Sequence, residues 1–172
     1  YAGVTVERKE GSFKLPSGDA VRVLDLPGTY SLKPSSLDEE VTRAVCLGEL
    51  KGEILPDIFI CVVDATNLSL HLSLVLEVRA LNRPMILVLN MMDEVKKRGI
   101  SIDKDKLSQL LGIPVVEAVA VKTKGIQDLI NQLDQKNLFI TPYHSELSHF
   151  EQVKQITKQV ILNNDSGLKC CF

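Results

Sequence analysis

Ile58-Phe59-Ile60-Cys61-Val62-Val63-Asp64 and Met85-Ile86-Leu87-Val88-Leu89-Asn90 are the stretches that decide the fold. Each is a short, continuous apolar run that stops at a polar residue. Such runs fit strands buried on both faces of a parallel sheet. Between them, Asn67 is placed to cap a helix over residues 68–81. Downstream, residues 103–111 start with acids, end near Gly112 and read as a helix. Residues 115–121 read as a strand and 125–133 as a further helix. Strands alternating with helices of about ten residues give an α/β fold, a mostly parallel sheet flanked by helices.

Upstream, residues 4–9 and 12–15 flank Gly11 and read as strand, turn, strand. Pro16-Ser17-Gly18-Asp19 is a turn signal, and residues 20–24 form a short strand ending at Asp25. Residues 29–36 are polar and read as a mobile loop. Ser36 or Asp38 can cap a helix running to about Leu47, with Leu37, Val41, Ala44 and Val45 on one side. After Gln135 the pattern changes. Residues 136–145 read as a linker, and residues 146–162 as a separate amphipathic helix carrying Leu147, Phe150, Val153, Ile156 and Val160. Its apolar face needs a partner, expected from further helices of the polypeptide. The expected units are 1–135 and 136–172.

Hydrophobic residues make up 45% of the 172 and charged residues 24%, enough apolar material for one sizeable core. Lys and Arg total 20 against 22 Asp and Glu, a net charge of −2 with no basic face for nucleic acid. No stretch approaches the ~18 apolar residues of a membrane-spanning helix, and no signal peptide is visible. The first residue is Tyr1, within what reads as a functional loop, so a fragment of a longer polypeptide is expected. Cys46 and Cys61 lie in apolar runs as core thiols, and Cys170-Cys171 lack metal-ligand spacing. Reduced intracellular thiols are expected.

Right-handed crossovers bring the strand C-terminal ends to one edge, where ligands bind in such sheets. Three motifs fall there. Asp25-Leu26-Pro27-Gly28 offers a carboxylate for Mg²⁺ through water and a glycine N–H for a terminal phosphate. Asn90-Met91-Met92-Asp93 offers a carboxylate that can accept from both N1–H and N2–H₂ of guanine, a donor pair that adenine lacks. A buried acid left unpaired penalises the wrong base. Asn90 can orient the loop and bond the base edge. Val119-Ala120-Val121 can present the Ala120 N–H to guanine O6. Thr5, in Gly3-Val4-Thr5-Val6-Glu7, is a candidate switch threonine for Mg²⁺ and γ-phosphate.

Each motif also has a plain reading: a strand-ending turn, a helix cap, a strand end, a β-branched strand residue. Order and spacing favour the nucleotide reading. Met91 stands where many GTPases carry a base-stacking Lys, which predicts weaker guanine affinity or faster exchange. His71 reads as a packed or surface histidine, and His144 and His149 lack partners at zinc spacing. Lys96-Lys97-Arg98 reads as a solvated helix end. Residues 1–172 contain no G-x-x-x-x-G-K-[ST] phosphate loop.

In their order the motifs resemble those of a P-loop GTPase domain. The longer strings are more specific. Residues 2–11, Asp25-Leu26-Pro27-Gly28-Thr29-Tyr30-Ser31-Leu32, Asp64-Ala65-Thr66-Asn67-Leu68 and Leu89-Asn90-Met91-Met92-Asp93 resemble the N-terminal GTPase domain of bacterial ferrous iron transport protein B. The resemblance covers about residues 2–133. It implies a phosphate loop upstream of Tyr1, a small helical domain that includes residues 135–172, and a following membrane domain that passes Fe²⁺. By matching position, Thr5, Asp25 and Gly28 would sense Mg²⁺ and phosphate, Asn90 and Asp93 would read guanine, and Ala120 would support it. GTP or GDP with Mg²⁺ are the implied cofactors, and K⁺ is a candidate further ion. The implied partners are the transmembrane Fe²⁺-permeation domain and small accessory iron-transport proteins, at the cytoplasmic face of the bacterial inner membrane.

Thr29 stands where Ras-like GTPases carry a water-positioning Gln, an absence this family shares. Slow hydrolysis follows, or a water held by other groups. Without a phosphate loop, nucleotide should bind poorly to residues 1–172. No His, Cys and carboxylate cluster suggests an Fe site. Two alternatives carry weight: a ribosome-assembly or translation-factor-class GTPase acting on RNA, and a catalytically silent interaction module.

Overall fold

A computed structural model describes residues 9–50, 54–118, 123–135 and 142–163. Strands β1 (Lys9–Lys14) and β2 (Ala20–Asp25) form an antiparallel hairpin, registered from Lys14 opposite Ala20 to Lys9 opposite Asp25. The hairpin turns at Pro16–Asp19, where Gly18 takes φ +92° and the Leu15 N–H donates to Asp19 O at 2.9 Å. The turn expected at Gly11 is not there. Gly11 lies within β1, opposite Val23. Proline and a positive-φ glycine make the better turn, and an exposed strand tolerates the glycine.

Helix α1 (Leu37–Leu47) starts at Ser36, whose hydroxyl accepts from the Glu39 N–H at 3.3 Å. It stops at Gly48, φ +71°, where the Glu49 N–H turns back to Ala44 O at 2.8 Å. Its buried residues are Thr42, Val45 and Cys46; Leu37, expected on the inner face, is exposed. That position is in the first turn, at the loop rather than over the sheet.

The central sheet is parallel, with β3 (Phe59–Asp64), β4 (Met85–Asn90) and β6 (Val115–Glu117) in that order. A 3-10 turn at Ala65–Asn67 leads from β3 into α2 (Leu68–Arg79). Asp64 supplies the capping interaction there, accepting from the Thr66 N–H and hydroxyl at 2.8 Å each, whereas the Asn67 side chain makes no cap bond. Helix α3 (Met92–Lys97), β5 (Ile100–Ile102), α4 (Lys104–Leu111, capped by Asp103), α5 (Thr123–Asp134) and α6 (His149–Val160) follow.

One face of the sheet packs Phe59, Val63, Leu87 and Leu89 against α2, α4 and α6 in the main core. On the other face, Ile86, Val88 and Val116 meet Leu129 and Leu133 of α5. Strand β4 is therefore buried on both sides, as its run of apolar residues predicts. Strand β3 is not. Ile60 and Val62, registered with Ile86 and Val88, are 38% and 63% exposed. Among the described residues, α5 covers this face at β4 and β6, not at the outer strand. The expected burial on both faces is thus corrected for β3.

Helix α6 also differs from expectation. Ser148 and Glu151 form a reciprocal capping box. The helix packs Val153, Ile156 and Val160 into the main core, so that part of its apolar stripe finds its partner within this chain, while Leu147 and Phe150 stay exposed. The chain then leaves the helix as β7 (Ile161–Asn163), antiparallel to β5, instead of continuing helical to residue 162. Arg79 is 1% exposed, yet it is charged. Its Nε donates to Leu111 O at 3.0 Å, and its guanidinium lies 5.4 Å from the Tyr143 ring centroid. Burial pushes the Cys46 thiol up to about 11 and Cys61 to about 12, which keeps both protonated.

Candidate functional site at the strand ends

Parallel register places Asp64 beside Asn90 at the C-terminal ends of β3 and β4. Beyond β6 the ladder continues by one bond, the Ala118 N–H donating to Leu89 O at 2.8 Å. The chain turns sharply after Asn90. Met91 takes the left-handed conformation, φ +62° and ψ +26°, and its carbonyl accepts from the Glu94 and Val95 N–H groups at 3.0 and 3.2 Å. The Met91 side chain makes no cap bond to offset that left-handed conformation, so it is strained, as backbone at functional corners often is. Met92 and Val95 are buried and pin α3 to the core. Met92 thus serves as the anchor, and Asn90 and Asp93 flank the turn half-buried at one corner.

Gly125 braces this corner from the far side. A Cβ on it would lie 2.7 Å from both Ala118 Cα and Glu117 O, so only glycine lets α5 start this close to the end of β6. The sequence reading places Gly125 at a helix start and gives it no part in the site. The Asp64 carboxyl is held below the usual carboxylate range, first by the Thr66 hydroxyl and then by the Thr66 N–H. It is an ionised acceptor fixed beside Asn90.

Asp25 ends β2 with an exposed side chain, and Gly28 is exposed as well. The Thr42 hydroxyl, buried on α1, donates to Pro27 O at 2.9 Å and holds the Asp25-Leu26-Pro27-Gly28 turn. Residues 29–36, expected to be mobile, are held by two carboxylates. Glu39 of α1 accepts from the Ser35 N–H at 2.7 Å, the Ser35 hydroxyl at 2.6 Å and the Thr29 hydroxyl at 3.3 Å. Glu77 of α2 accepts from the Ser31 hydroxyl at 3.0 Å and from the Leu32 N–H. Tyr30 packs on His71, with ring centroids 5.6 Å apart. Sequence reasoning missed both glutamates as loop holders. The cap at Ser36 hints at Glu39; nothing local points to Glu77.

Asn90, Met91 and Asp93 are thus brought together at one corner, and Asp25 to Gly28 sit on a separately anchored turn. Gly3, Val4, Thr5, Val119, Ala120 and Val121 lie outside the described residues. The exposed Asp25 carboxylate is a hard oxygen donor of the kind that holds Mg²⁺ through water. Among the described residues, no helix is long and apolar enough to cross a membrane.

The family model described as Ferrous iron transport protein B matches residues 1–133. The Fe(2+) transporter FeoB of Salmonella typhimurium is 42% identical over 156 residues, which is 88% of this chain and 19% of the relative. The cytosolic domain of L. pneumophila FeoB superposes with a TM-score of 0.82 at 28% identity, covering 94% of this chain and 87% of that one. The cytosolic domain of T. maritima FeoB in its GMPPNP form gives 0.75 at 28% identity, covering 94% and 88%. This chain spans about a fifth of the length of the curated relatives it matches. A match over residues 1–133, with the strand-end motifs in their expected order, places the chain in the ferrous iron transport protein B family.

Proposed function

We propose that this chain is the guanine-nucleotide-binding switch of a transporter that moves ferrous iron across the bacterial inner membrane. The observation that carries the reading is the Asn90–Asp93 corner, held by the strained Met91 and braced through Ala118 by Gly125. In this reading Asp93 accepts from guanine N1–H and N2–H₂, and Asn90 bonds the base edge and fixes the loop. Ala120 donates to O6, flanked by Val119 and Val121. Met91 covers the base less firmly than a lysine. Gly28 N–H meets the γ-phosphate. Thr5 and Asp25 hold Mg²⁺, which supplies charge neutralisation on the phosphates, and K⁺ is a further candidate at the same edge.

A lysine-bearing phosphate loop, a motif that residues 1–172 do not contain, would complete the site. The exposed Ile60–Val62 face offers apolar surface for the elements that carry it. Hydrolysis is slow, because Thr29 cannot position water as a glutamine does. Residues 1–135 bind nucleotide, and residues 136–172 begin the helical part that leads to the permeation domain. That domain passes Fe²⁺, and accessory iron-transport proteins act on it. The cytoplasmic face is where cellular GTP meets this site. The family match gives no support to an RNA-acting GTPase or a silent interaction module.

The test is fluorescent GDP and GTP binding, with Mg²⁺, to this chain and to one extended upstream through a phosphate loop. Tight binding by the extended chain alone is expected. Within that chain Asp93→Asn should lower GTP affinity by about a hundredfold or more and improve binding of xanthosine triphosphate. An unchanged preference for GTP over xanthosine triphosphate would remove Asp93 from the base site.

A further inference from the structure

Residues 30–32 do not stay at the ligand edge. Helix α2 begins just after the C-terminal end of β3, so its first residue, Leu68, lies at that edge. His71 and Glu77 mark points further along the helix, Glu77 being about 14 Å from Leu68 by helical rise. Tyr30 packs at His71, and Ser31 and Leu32 bond to Glu77. The chain that follows Gly28 is therefore drawn along α2, away from the strand ends. The Ser31 hydroxyl, while donating to Glu77, also accepts the Lys33 N–H at 3.0 Å, so a single carboxylate organises three consecutive residues.

We propose that Glu77 is a positioning residue that sets the preference of this site for GTP over GDP, by latching residues 31–32 to α2 against the pull of a γ-phosphate on Gly28. The proposal rests on the guanine-nucleotide reading above. A GDP-bound site makes no demand on Gly28 and leaves the latch closed. A γ-phosphate gains the Gly28 N–H only as the segment behind it shifts toward the edge, three residues from the Ser31 anchor. The latch then opposes GTP and is neutral to GDP, which is differential binding of the kind a switch requires. Glu39 serves a different part of the loop. It holds Ser35 next to the helix cap, where the chain already belongs to α1.

Two measurements on Glu77→Ala decide the proposal, with Glu77→Gln as the conservative variant. In this chain, amide hydrogen exchange at Leu32 should quicken at least about tenfold, while Leu76 and Val78 in α2 keep their protection. In the chain extended through a phosphate loop, affinity for a non-hydrolysable GTP analogue should rise about tenfold with GDP affinity unchanged. Glu77→Gln keeps one acceptor oxygen and should fall between. If Glu77→Ala does not fold, Ser31→Ala opens the same latch from the loop side and is read the same way. Unchanged exchange at Leu32 overturns the latch. Faster exchange with an unchanged GTP-to-GDP ratio overturns its role in nucleotide preference. If neither nucleotide binds with Glu77 in place, the guanine reading fails, and the preference role fails with it. Exchange at Leu32 still judges the latch alone.

Discussion

Gly125 sits against Ala118 so closely that a single added carbon would overlap the neighbour's backbone, at 2.7 Å from its Cα. Backbone meets backbone here, with no flexible side chain to yield. Gly125→Ala should therefore cost about 1–3 kcal/mol of stability, the range for overpacking a tight contact. Urea denaturation of the purified chain reads this directly. A loss below a few tenths of a kcal/mol would mean that α5 shifts freely against β6.

Met91 carries the opposite expectation. Its positive φ is unfavourable for any side chain with a Cβ, and it gains no cap bond in return. Met91→Gly should raise the melting temperature by about 2–4 °C, the shift that about 1 kcal/mol gives at this size. Calorimetry is the check. If Met91 covers the base as the proposed function has it, the same substitution should weaken guanine binding in the phosphate-loop-bearing chain.

Glu39 gives the loop a pH dependence. Hydrogen bonds from the Ser35 hydroxyl, then the Ser35 N–H, hold its carboxyl below the usual glutamate value of 4.5. A depressed folded-state pKa contributes stability that is present above the unfolded value and lost as pH falls through the folded one. The Ser35 amide should stay protected at pH 7 and lose protection only below about pH 4.5. Glu39→Gln should remove that pH dependence, as amide exchange over pH 3–6 will show.

Arg79 is a charged side chain held in the core, 1% exposed. Truncation to Ala removes its bond to Leu111 O, its cation–π contact with Tyr143 and a large buried stem. A loss of about 2–4 kcal/mol is expected. Replacing it with Met, which keeps the volume, should recover more than half of that loss in the same denaturation assay.

The alternation of strand and helix was legible because it is written locally. The run at Met85–Asn90 is apolar at five successive positions, and all five are buried. Ser36 was readable as a cap, with Asp38 as the alternative, since a capping side chain bonds only a few residues ahead; Asp103, read as the first residue of its helix, proves to be the cap. The turn at Asn90–Asp93 follows a strand end that was legible for the same reason. What failed was non-local. Nothing within Phe59–Asp64 reveals that one of its faces lies open, because cover comes from other elements. The role of Glu77 rests on contacts with Ser31 and Leu32, 46 and 45 residues away. The partner of α6 and the exit strand β7 are likewise set by what happens to be adjacent in space.

That exit strand has a mechanical meaning. Ile161–Asn163 is zipped to Ile100–Ile102, and only α3 and a short turn separate those residues from Met91. Tension applied to the chain beyond Asn163 is borne first by this three-residue clasp, and from there by the Asn90–Asp93 corner, to which the proposed function assigns the base. Under the proposed function, whatever tugs on that end of the domain has its hand on the nucleotide.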